Sequence, residues 1–389
     1  MSEQHADIII VGAGIMGAAS AFFLRRRGYS VLLLERGLVG QHASGTNFGN
    51  VRRQGRFLPQ LALANRSREL WGRLPELIDD DLEFIASGHI RVCFRPDEII
   101  KLQAYASAPQ ASELGLTVYQ GAEMRSRFPY LGPEVLAASY APFDGHANPR
   151  LAAPAFARAG VREGVDLREN TEISMIDKVA DMFHVTSVSG EQFRAPKLLV
   201  TAGAWGSRLS SQFGEPVPME PNGPQMAVTE PLPYVFKEVV GVFSHRHEEV
   251  IYFRQIPRGN VIFGGCHRSK PNLDTLRSPA EPKGLLMQLP QLKRLAPALT
   301  RVNVIRTWSG VESYVIDDIP IIGPSGQVDG LYYAFGFCGH GFQLGPGVGD
   351  VMAELIDTGA TSTPIEPFAI TRFTQLQVSA GLQLAGSRV

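Results

Sequence analysis

The sequence contains only three cysteines in 389 residues, Cys93, Cys266 and Cys338. They are too few and too widely spaced for the disulfide framework of a small secreted domain or for a zinc cluster. We therefore expect a protein of a reducing compartment with no bound metal ion.

The sequence also lacks an excess of charge, with 37 basic and 38 acidic residues and a formal net charge of −1. This balance argues against a nucleic-acid-binding surface and favours a small-molecule partner. The apolar run Ile8–Val11 is too short, and too soon followed by glycine, for a membrane span or a signal peptide. We expect a cytoplasmic protein, with peripheral contact to the inner face of a membrane as the alternative.

What the sequence does have is a strand, a glycine-rich turn and a helix at its beginning. The run Ile8–Val11 is typical of a parallel strand buried on both faces. Gly12, Gly14 and Gly17 follow with the spacing G-x-G-x-x-G. The first allows the turn, the second lets the backbone approach a pyrophosphate, and the third lets the helix, predicted over residues 18–27, pack on its strand.

An acidic residue closes the second buried strand, predicted over residues 30–34. Glu35 stands where such an acid holds a ribose hydroxyl of a dinucleotide, and a 2′-phosphate there would meet a carboxylate. The polar segment 37–56, GLVGQHASGTNFGNVRRQGR, takes the place of a further βαβ unit. It is either a solvated basic loop or a second anion clamp, and the clamp favours FAD over NAD.

Two further motifs stand in the middle and near the end of the chain. KLLVTAGAW at 197–205 is typical of a buried strand running into a turn of small residues, and GLYYAFGFCGHGFQLGPGVG at 330–349 predicts a strand, a glycine loop and a helix from about Gly345. Together with ASGTNFGNVR at 43–52, these motifs resemble the D-amino-acid oxidase-like family of FAD-dependent amine oxidoreductases, which includes glycine and sarcosine oxidases. The phrase WSGVESYVIDDIPIIGP is most similar to the opine oxidase and D-hydroxyproline dehydrogenase members.

The resemblance implies FAD as the cofactor and assigns residues of all three motifs to it. The residues so assigned are Gly12, Gly14, Ile15, Met16, Gly17, Glu35, Arg36, Ser44, Gly45, Thr46, Asn47, Ile173, Ala202, Gly203, Trp205, Gly339, His340, Gly341, Phe342 and Gln343. The backbone of Ile173 is expected to hold the adenine. The N-terminus of the last helix would stabilise the negative charge that the flavin acquires at N1 and O2 when a hydride arrives.

Because the motifs lie at the beginning, middle and end, the resemblance implies an α/β fold with a discontinuous, Rossmann-like FAD-binding domain and an α+β substrate-binding domain built on a mixed sheet. The predicted bounds are 1–82, 147–213 and 318–389 for the first domain and 83–146 and 214–317 for the second. Alternating apolar residues over 249–268, with a turn at 257–260, predict an antiparallel hairpin roofing the flavin. Residues after Phe373 are expected to form a loosely ordered tail.

Four side chains are predicted for the catalytic site, namely His267, Arg52, Glu312 and Gln343. Glycine and sarcosine oxidases hold the substrate carboxylate with a cationic side chain, and the positions similar to theirs carry Glu312 and Gln343 here. Glu312 either contacts a second amine or guanidinium of an opine-like substrate or pairs with Arg306 in a structural bridge.

Carboxylate binding then falls to other cations. The candidates for binding the substrate carboxylate are Arg52, Arg56 and Arg254. The alternative for each is an ion pair on the protein surface. His267 stands where sarcosine oxidases have a histidine beside the substrate, and its alternative is a hydrogen-bonded structural role.

The sequence lacks lysine between Lys237 and Lys270. In sarcosine oxidases a lysine near the position of Phe263 helps the flavin react with oxygen. We therefore predict a dehydrogenase that passes electrons to a quinone or a protein carrier and reacts slowly with oxygen.

These observations predict an FAD-dependent enzyme that oxidises the C–N bond of a secondary amine or D-amino acid to an imine, with an opine, D-hydroxyproline or sarcosine-like compound as substrate. Two alternatives stay open. One is a flavin-holding component of a multi-chain opine or sarcosine oxidase. The other is an NAD-dependent dehydrogenase, which the absence of successive βαβ units after Arg36 disfavours.

Overall fold

The computed structural model of the chain describes residues 4–373. The tail predicted after Phe373, and with it the end of the predicted range 318–389, lies outside the described residues. The fold is the mixed α/β arrangement that the sequence predicts.

The helices and strands are numbered in chain order. The α-helices of the described chain are α1 (Ile15–Arg26), α2 (Ala43–Thr46), α3 (Leu61–Ile78), α4 (Pro96–Ala106), α5 (Gly121–Arg127), α6 (Pro149–Arg162), α7 (Gly206–Ser210), α8 (Pro282–Leu295) and α9 (Gly341–Thr358). The strands are β1 (Gln4–His5), β2 (Ile8–Val11), β3 (Val31–Leu34), β4 (Asn50–Val51), β5 (His89–Cys93), β6 (Thr117–Gln120), β7 (Ala137–Ala141), β8 (Gly145–His146), β9 (Asp166–Arg168), β10 (Ile173–Val179), β11 (Met182–Ser187), β12 (Gln192–Ala195), β13 (Lys197–Val200), β14 (Met219–Pro231), β15 (Val239–Val242), β16 (Ile251–Gln255), β17 (Asn260–Ser269), β18 (Val304–Ser309), β19 (Glu312–Val315), β20 (Ile321–Pro324) and β21 (Leu331–Phe335).

One large sheet, here called the inner sheet, has the strand order β20-β21-β13-β2-β3-β9. Ile8 and Ile10 of β2 face the core shared with α1, α6 and α9, whereas Ile9 and Val11 face the core under the small sheet β1-β12-β11-β10. This double burial explains the unbroken aliphatic run. Strands β2, β3, β13 and β21 run parallel, so their carboxyl ends meet at one edge.

The other large sheet, here called the roof sheet, has the order β18-β14-β17-β16-β15-β5-β7-β6. Its strands pair antiparallel except β15 and β5, which pair parallel. The predicted hairpin is confirmed, since β16 and β17 pair antiparallel across a short turn. Helix α8 packs against these two strands and closes a separate core around Phe253 and Phe263.

The strands of the inner sheet all fall within the ranges predicted for the FAD-binding domain, and those of the roof sheet fall within the ranges predicted for the substrate-binding domain. The short pair β4-β8 joins the two ranges. The exact bounds stay a prediction. Among residues 4–373, no helix has both the length and the apolar character needed to cross a bilayer.

Both glycine-flanked helices begin about one turn earlier than predicted. Helix α1 begins at Ile15 because Oγ of Ser44 accepts a hydrogen bond from the Ile15 backbone nitrogen at 2.9 Å. Helix α9 begins at Gly341 rather than near Gly345. Its first turn is held by α3, where Oγ of Ser67 and Nε1 of Trp71 donate to the carbonyl oxygen of Gln343 at 2.6 and 2.8 Å.

An ionic contact fastens the middle of α9 to α3. The guanidinium of Arg66 donates to Asp350 and Glu354, with nitrogen–oxygen distances of 2.6 Å to each. Burial raises the pKa of Glu354, but hydrogen bonds from Arg66, Thr361 and Ser362 outweigh this effect and bring it to about 2. The ionised form of Glu354 therefore stabilises the folded state.

We predict that Glu354→Gln lowers the free energy of unfolding by about 1 to 2 kcal/mol at neutral pH. Because the folded pKa is below the ordinary value of 4.5, the contribution is complete above that value and is lost as the pH falls toward about 2. Urea unfolding at several pH values measures it. Glu76→Gln, at an exposed site on α3, is the control, and an equal effect of both variants would contradict the prediction.

Candidate active site

A cavity of about 460 Å³ lies between the carboxyl edge of the inner sheet and the roof sheet. Gly12, Glu35 and Thr201, which directly follow β2, β3 and β13, line its inner-sheet side. Met226 and Tyr252 line its roof-sheet side. A crevice outside the carboxyl ends of parallel strands is where doubly wound folds bind ligands.

The three glycines of the first turn have different surroundings. Gly12 has φ +108°, and a Cβ there would lie 2.8 Å from the carbonyl oxygen of Thr201. A Cβ on Gly17 would lie 1.9 Å from the Gly12 oxygen, so Gly17 serves the packing of α1 on its strand. A Cβ on Gly14 would meet only Oγ of Ser44, at 3.0 Å, and otherwise faces the cavity.

The end of the cavity near β3 has the groups that a dinucleotide requires. Glu35 accepts hydrogen bonds from the backbone nitrogens of Ala13 and Gly37, both at 2.8 Å, and its carboxylate lines the cavity. Arg36 stacks on the ring of Trp205 at 4.1 Å from the centroid. Gly203 has φ +52°, and a Cβ there would meet no atom within 4 Å, which leaves open space beside the backbone.

Most of the residues predicted to contact the cofactor come together in this one cavity. Those that line it are Gly12, Gly14, Ile15, Met16, Glu35, Arg36, Ser44, Thr46, Asn47, Ile173, Ala202, Gly203, Trp205, Gly339, His340, Gly341 and Phe342. Gly17, Gly45 and Gln343 do not line it. A Cβ on Gly45 would lie 2.4 Å from the Gly40 oxygen, so this glycine also serves backbone packing.

The comparison with known sequences agrees with this geometry. The profile of the DAO family, FAD dependent oxidoreductase, matches residues 7–355. The chain belongs to this family of FAD-dependent oxidoreductases. Its cofactor is FAD, and the alternative of an NAD-dependent dehydrogenase is set aside.

The alignments with relatives and solved structures cover nearly the whole chain of the oxidoreductase. Glycine oxidase of Geobacillus kaustophilus (strain HTA426) is 27% identical over 376 residues, covering 94% of this chain and 97% of the relative. A chain of the opine oxidase of Rhizobium meliloti is 26% identical, covering 96% and 99%. The crystal structure of L-proline dehydrogenase from P. horikoshii superposes with a TM-score of 0.88 at 26% identity, covering 96% and 99%.

Beyond the dinucleotide end, the cavity of the oxidoreductase has a cationic wall. Arg52, Arg56 and Arg91 line it together with His89 and His340. Burial, followed by the neighbouring Arg52, lowers the pKa of both Arg56 and Arg91 to about 9. Burial, together with the nearby Arg52 and Arg91, lowers the pKa of His89 and of His340 well below the ordinary value, so both imidazoles are neutral.

Glu312 also lines the cavity. Its Oε1 accepts a hydrogen bond from the Gly339 backbone nitrogen at 2.8 Å, and its Oε2 accepts one from the hydroxyl of Tyr314 at 3.0 Å. Burial raises the pKa of Glu312. Arg306 is exposed and does not pair with Glu312, so the structural bridge considered from the sequence is absent from the described residues.

On β17 the residue that faces the cavity is Arg268, not the predicted His267. Successive side chains of a strand point to opposite faces, and His267 falls on the face of α8. Its Nε2 lies 3.0 Å from Oε2 of Glu281. Arg268 stacks on the ring of Tyr314 at 4.0 Å from the centroid. His267 therefore does not touch the cavity, and we assign it no catalytic role.

Gln343, also predicted for the catalytic site, does not line the cavity. Its side chain is fully buried between α9 and α3, where Nε2 donates to the carbonyl oxygen of Ala64 at 2.8 Å. Arg254 lies outside the lining as well, and its Nε donates to the carbonyl oxygen of Phe48 at 2.8 Å. Among the predicted catalytic side chains, Arg52 and Glu312 reach the cavity.

Sequence reasoning missed Arg91, Arg268 and Tyr314. A signal existed for Arg91, because it stands in the apolar strand HIRVC between Ile90 and Val92, which are fully buried in the roof-sheet core. A charged residue on the alternate positions of such a strand indicates a polar face. Among residues 4–373, no group of histidine, cysteine, aspartate and glutamate side chains is placed to hold a metal ion.

We predict that Gly14→Val yields folded protein without FAD, because its side chain would occupy the space where backbone meets pyrophosphate. Absorbance of the purified protein measures bound flavin, and circular dichroism measures folding. Gly17→Val is the matched comparison. Its side chain would strike protein backbone, and we expect it to lower folding yield. Normal flavin content in Gly14→Val would contradict the assignment.

Proposed function

We propose that the oxidoreductase oxidises the C–N bond of a secondary amine or a D-configured amino acid. The carbon loses a hydrogen with its electron pair, the nitrogen loses a proton, and the resulting imine is hydrolysed by water to a carbonyl compound and a free amine. Bound FAD supplies the two-electron acceptor, the flavin N5. Opine, D-hydroxyproline and sarcosine-like compounds are the substrate types we propose.

The observation that carries this proposal is the arrangement of charge along one cavity. A dinucleotide end on the inner sheet continues into a space lined by the guanidinium groups of Arg52, Arg56 and Arg91 and by the carboxylate of Glu312. An amino acid presents the complementary pair, a carboxylate and an amine. The names of the relatives, glycine oxidase and opine oxidase, support the same class of substrate.

Arg52 and Glu312 have separate roles in this proposal. Arg52 binds the substrate carboxylate and so orients the C–H bond. Glu312 accepts the proton of the substrate ammonium, since only the neutral amine gives up a hydride readily. Its raised pKa brings the carboxyl closer to the pKa range in which such a proton is exchanged.

The electron acceptor in this proposal is a quinone or a protein carrier. Among the described residues, no lysine lines the cavity. Phe263, near whose position sarcosine oxidases carry an oxygen-activating lysine, is fully buried against α8 and lies away from the cavity. Oxygen reduction begins with the formation of superoxide, an anion that a nearby ammonium stabilises in a dry site.

We predict that a secondary or D-configured amino acid bleaches the flavin absorbance of the purified protein without oxygen. A stopped-flow panel of amino acids of both configurations, with sarcosine and proline, measures this. The Glu312→Gln variant should keep FAD, but its flavin should be reduced more slowly. In the unsubstituted enzyme the rate of reduction should rise with pH as the Glu312 carboxyl ionises, and this rise should be absent from the variant. A flavin that no amine bleaches would overturn the proposed function.

The second candidate is a flavin-holding component of a larger enzyme, because several relatives are named as subunits of sarcosine or opine oxidases. The same experiment separates the two. Bleaching by this chain alone, followed by repeated turnover with an artificial quinone, would exclude the need for a partner chain.

We predict that the substrate-reduced enzyme is reoxidised at least about tenfold faster by a soluble quinone than by dissolved oxygen, because among residues 4–373 no lysine ammonium lines the cavity to stabilise superoxide. Stopped-flow absorbance and a peroxide assay measure this. Rapid oxygen consumption with stoichiometric peroxide would contradict the prediction. If Arg268→Met then removed the oxygen reaction, Arg268 would be the cation responsible.

A further inference from the structure

Arg91 on β5 presents its guanidinium to the cavity. Its neighbours Ile90 and Val92 are buried in the roof-sheet core, so the guanidinium lies on the cavity side of the strand. It stacks on the ring of Phe243 at 4.5 Å from the centroid. Among residues 4–373 it makes no hydrogen bond and no ion pair, so its five N–H donors are unused. A partly buried guanidinium of this kind calls for an anion from outside the chain.

The other two arginines of the wall are used differently. Arg56 donates from each of its nitrogens to the protein, at 2.8 Å to the Arg52 carbonyl, 3.1 Å to Oε1 of Gln60 and 3.2 Å to the His340 carbonyl. Arg52 donates from Nη1 to the Gln54 carbonyl and keeps Nε and Nη2 for a ligand. Arg52 and Arg91 therefore present two separate sets of free donors.

The protein supplies little negative charge to balance this wall. Asp144 is a carboxylate that interacts with Arg52 and Arg56, but it is fully buried and accepts hydrogen bonds from the backbone and Nε of Arg53 and from the Gln54 backbone. Glu35, at the dinucleotide end, bonds the glycine-turn backbone. Positive charge remains in excess at Arg52, Arg56 and Arg91.

The excess charge does not belong to the pyrophosphate of the cofactor. Gly14 and Ser44, which form the pyrophosphate end, follow the strands of the inner sheet. Arg91 belongs to the roof sheet, where it pairs in register with Gly241, another residue of the cavity lining. The free donors of Arg91 therefore lie on the substrate side.

We propose, on the basis of the function proposed above, that the substrate is an amine whose nitrogen stands between two carboxylate-bearing arms, with Arg52 binding one carboxylate and Arg91 the other. Glu312 lies close to Arg56 of the wall, because Glu312 accepts from the Gly339 nitrogen and Arg56 donates to the carbonyl of the next residue, His340. A cavity lined by two guanidinium groups with free donors and by one carboxylate suits an amine nitrogen flanked by two anionic arms. An amino acid with a single carboxylate leaves Arg91 without a partner.

Two matched pairs of compounds test this proposal. Glutarate and butyrate differ by one carboxylate and cannot be oxidised at nitrogen. Iminodiacetate and sarcosine are the corresponding amines. Calorimetry on the FAD-loaded protein measures binding of the first pair, and anaerobic flavin reduction measures kcat/KM for the second.

We expect glutarate to bind at least about tenfold more tightly than butyrate, since one more charge-assisted contact forms. Arg91→Met should weaken glutarate binding about 10- to 100-fold and butyrate binding much less, with Arg91→Lys between the two. The ratio of kcat/KM for iminodiacetate over sarcosine should fall in parallel. Arg306→Met, on the exposed face of β18, is the control, and the flavin content of each variant checks folding.

Equal binding of glutarate and butyrate, or an equal loss of both in Arg91→Met, would overturn the two-carboxylate proposal, whether or not amines reduce the flavin. If glutarate binding depends on Arg91 but no amine, neither these two nor any of the amino-acid panel, bleaches the flavin, the two-anion site stands and the proposed function is overturned. The two failures are therefore distinguishable.

Discussion

The parallel register of β2, β3, β13 and β21 is the constraint on which the rest of the molecule depends. Each of these strands ends at the same edge of the inner sheet, and each is followed at once by a residue of the cavity lining. Segments more than three hundred residues apart in the chain therefore meet at one site. The aliphatic composition of β2 fits this position, because both of its faces are buried.

The roof sheet adds charge to this frame. It delivers Arg91 and Arg268 to a cavity whose inner-sheet side is mostly backbone and small side chains. Guanidinium groups gathered with so few carboxylates raise the free energy of the empty site, and this unfavourable contribution is relieved when an anion enters. Of the charged groups that line the oxidoreductase cavity, Arg91 and Arg268 come from the roof sheet, whereas Arg52 and Arg56 follow β4 and Glu35 and Arg36 follow β3.

How much could be predicted from the sequence depended on the range of the interaction involved. Gly12, Gly14 and Glu35 act through local geometry and short spacing, so the cofactor end was predictable from the residues themselves. The beginning of α9 was not, since it is fixed by Ser67 and Trp71 of α3, far away in the chain. The choice of Arg268 over His267 also required the structure, because the position of α8 decides which face of β17 is covered. Gln343 was misplaced for the same reason, as its side chain bonds to α3.

The contacts between α3 and the first turn of α9 also hold the helix end that faces the cavity. The carbonyl oxygen of Gln343 and the nitrogen of Gly347 are both bonded to the protein itself, through Ser67. The helix end that faces the cavity is thereby rigid without help from a ligand, so association with FAD loses little conformational entropy in this segment. We therefore expect this helix end to be preorganised for the cofactor before FAD binds.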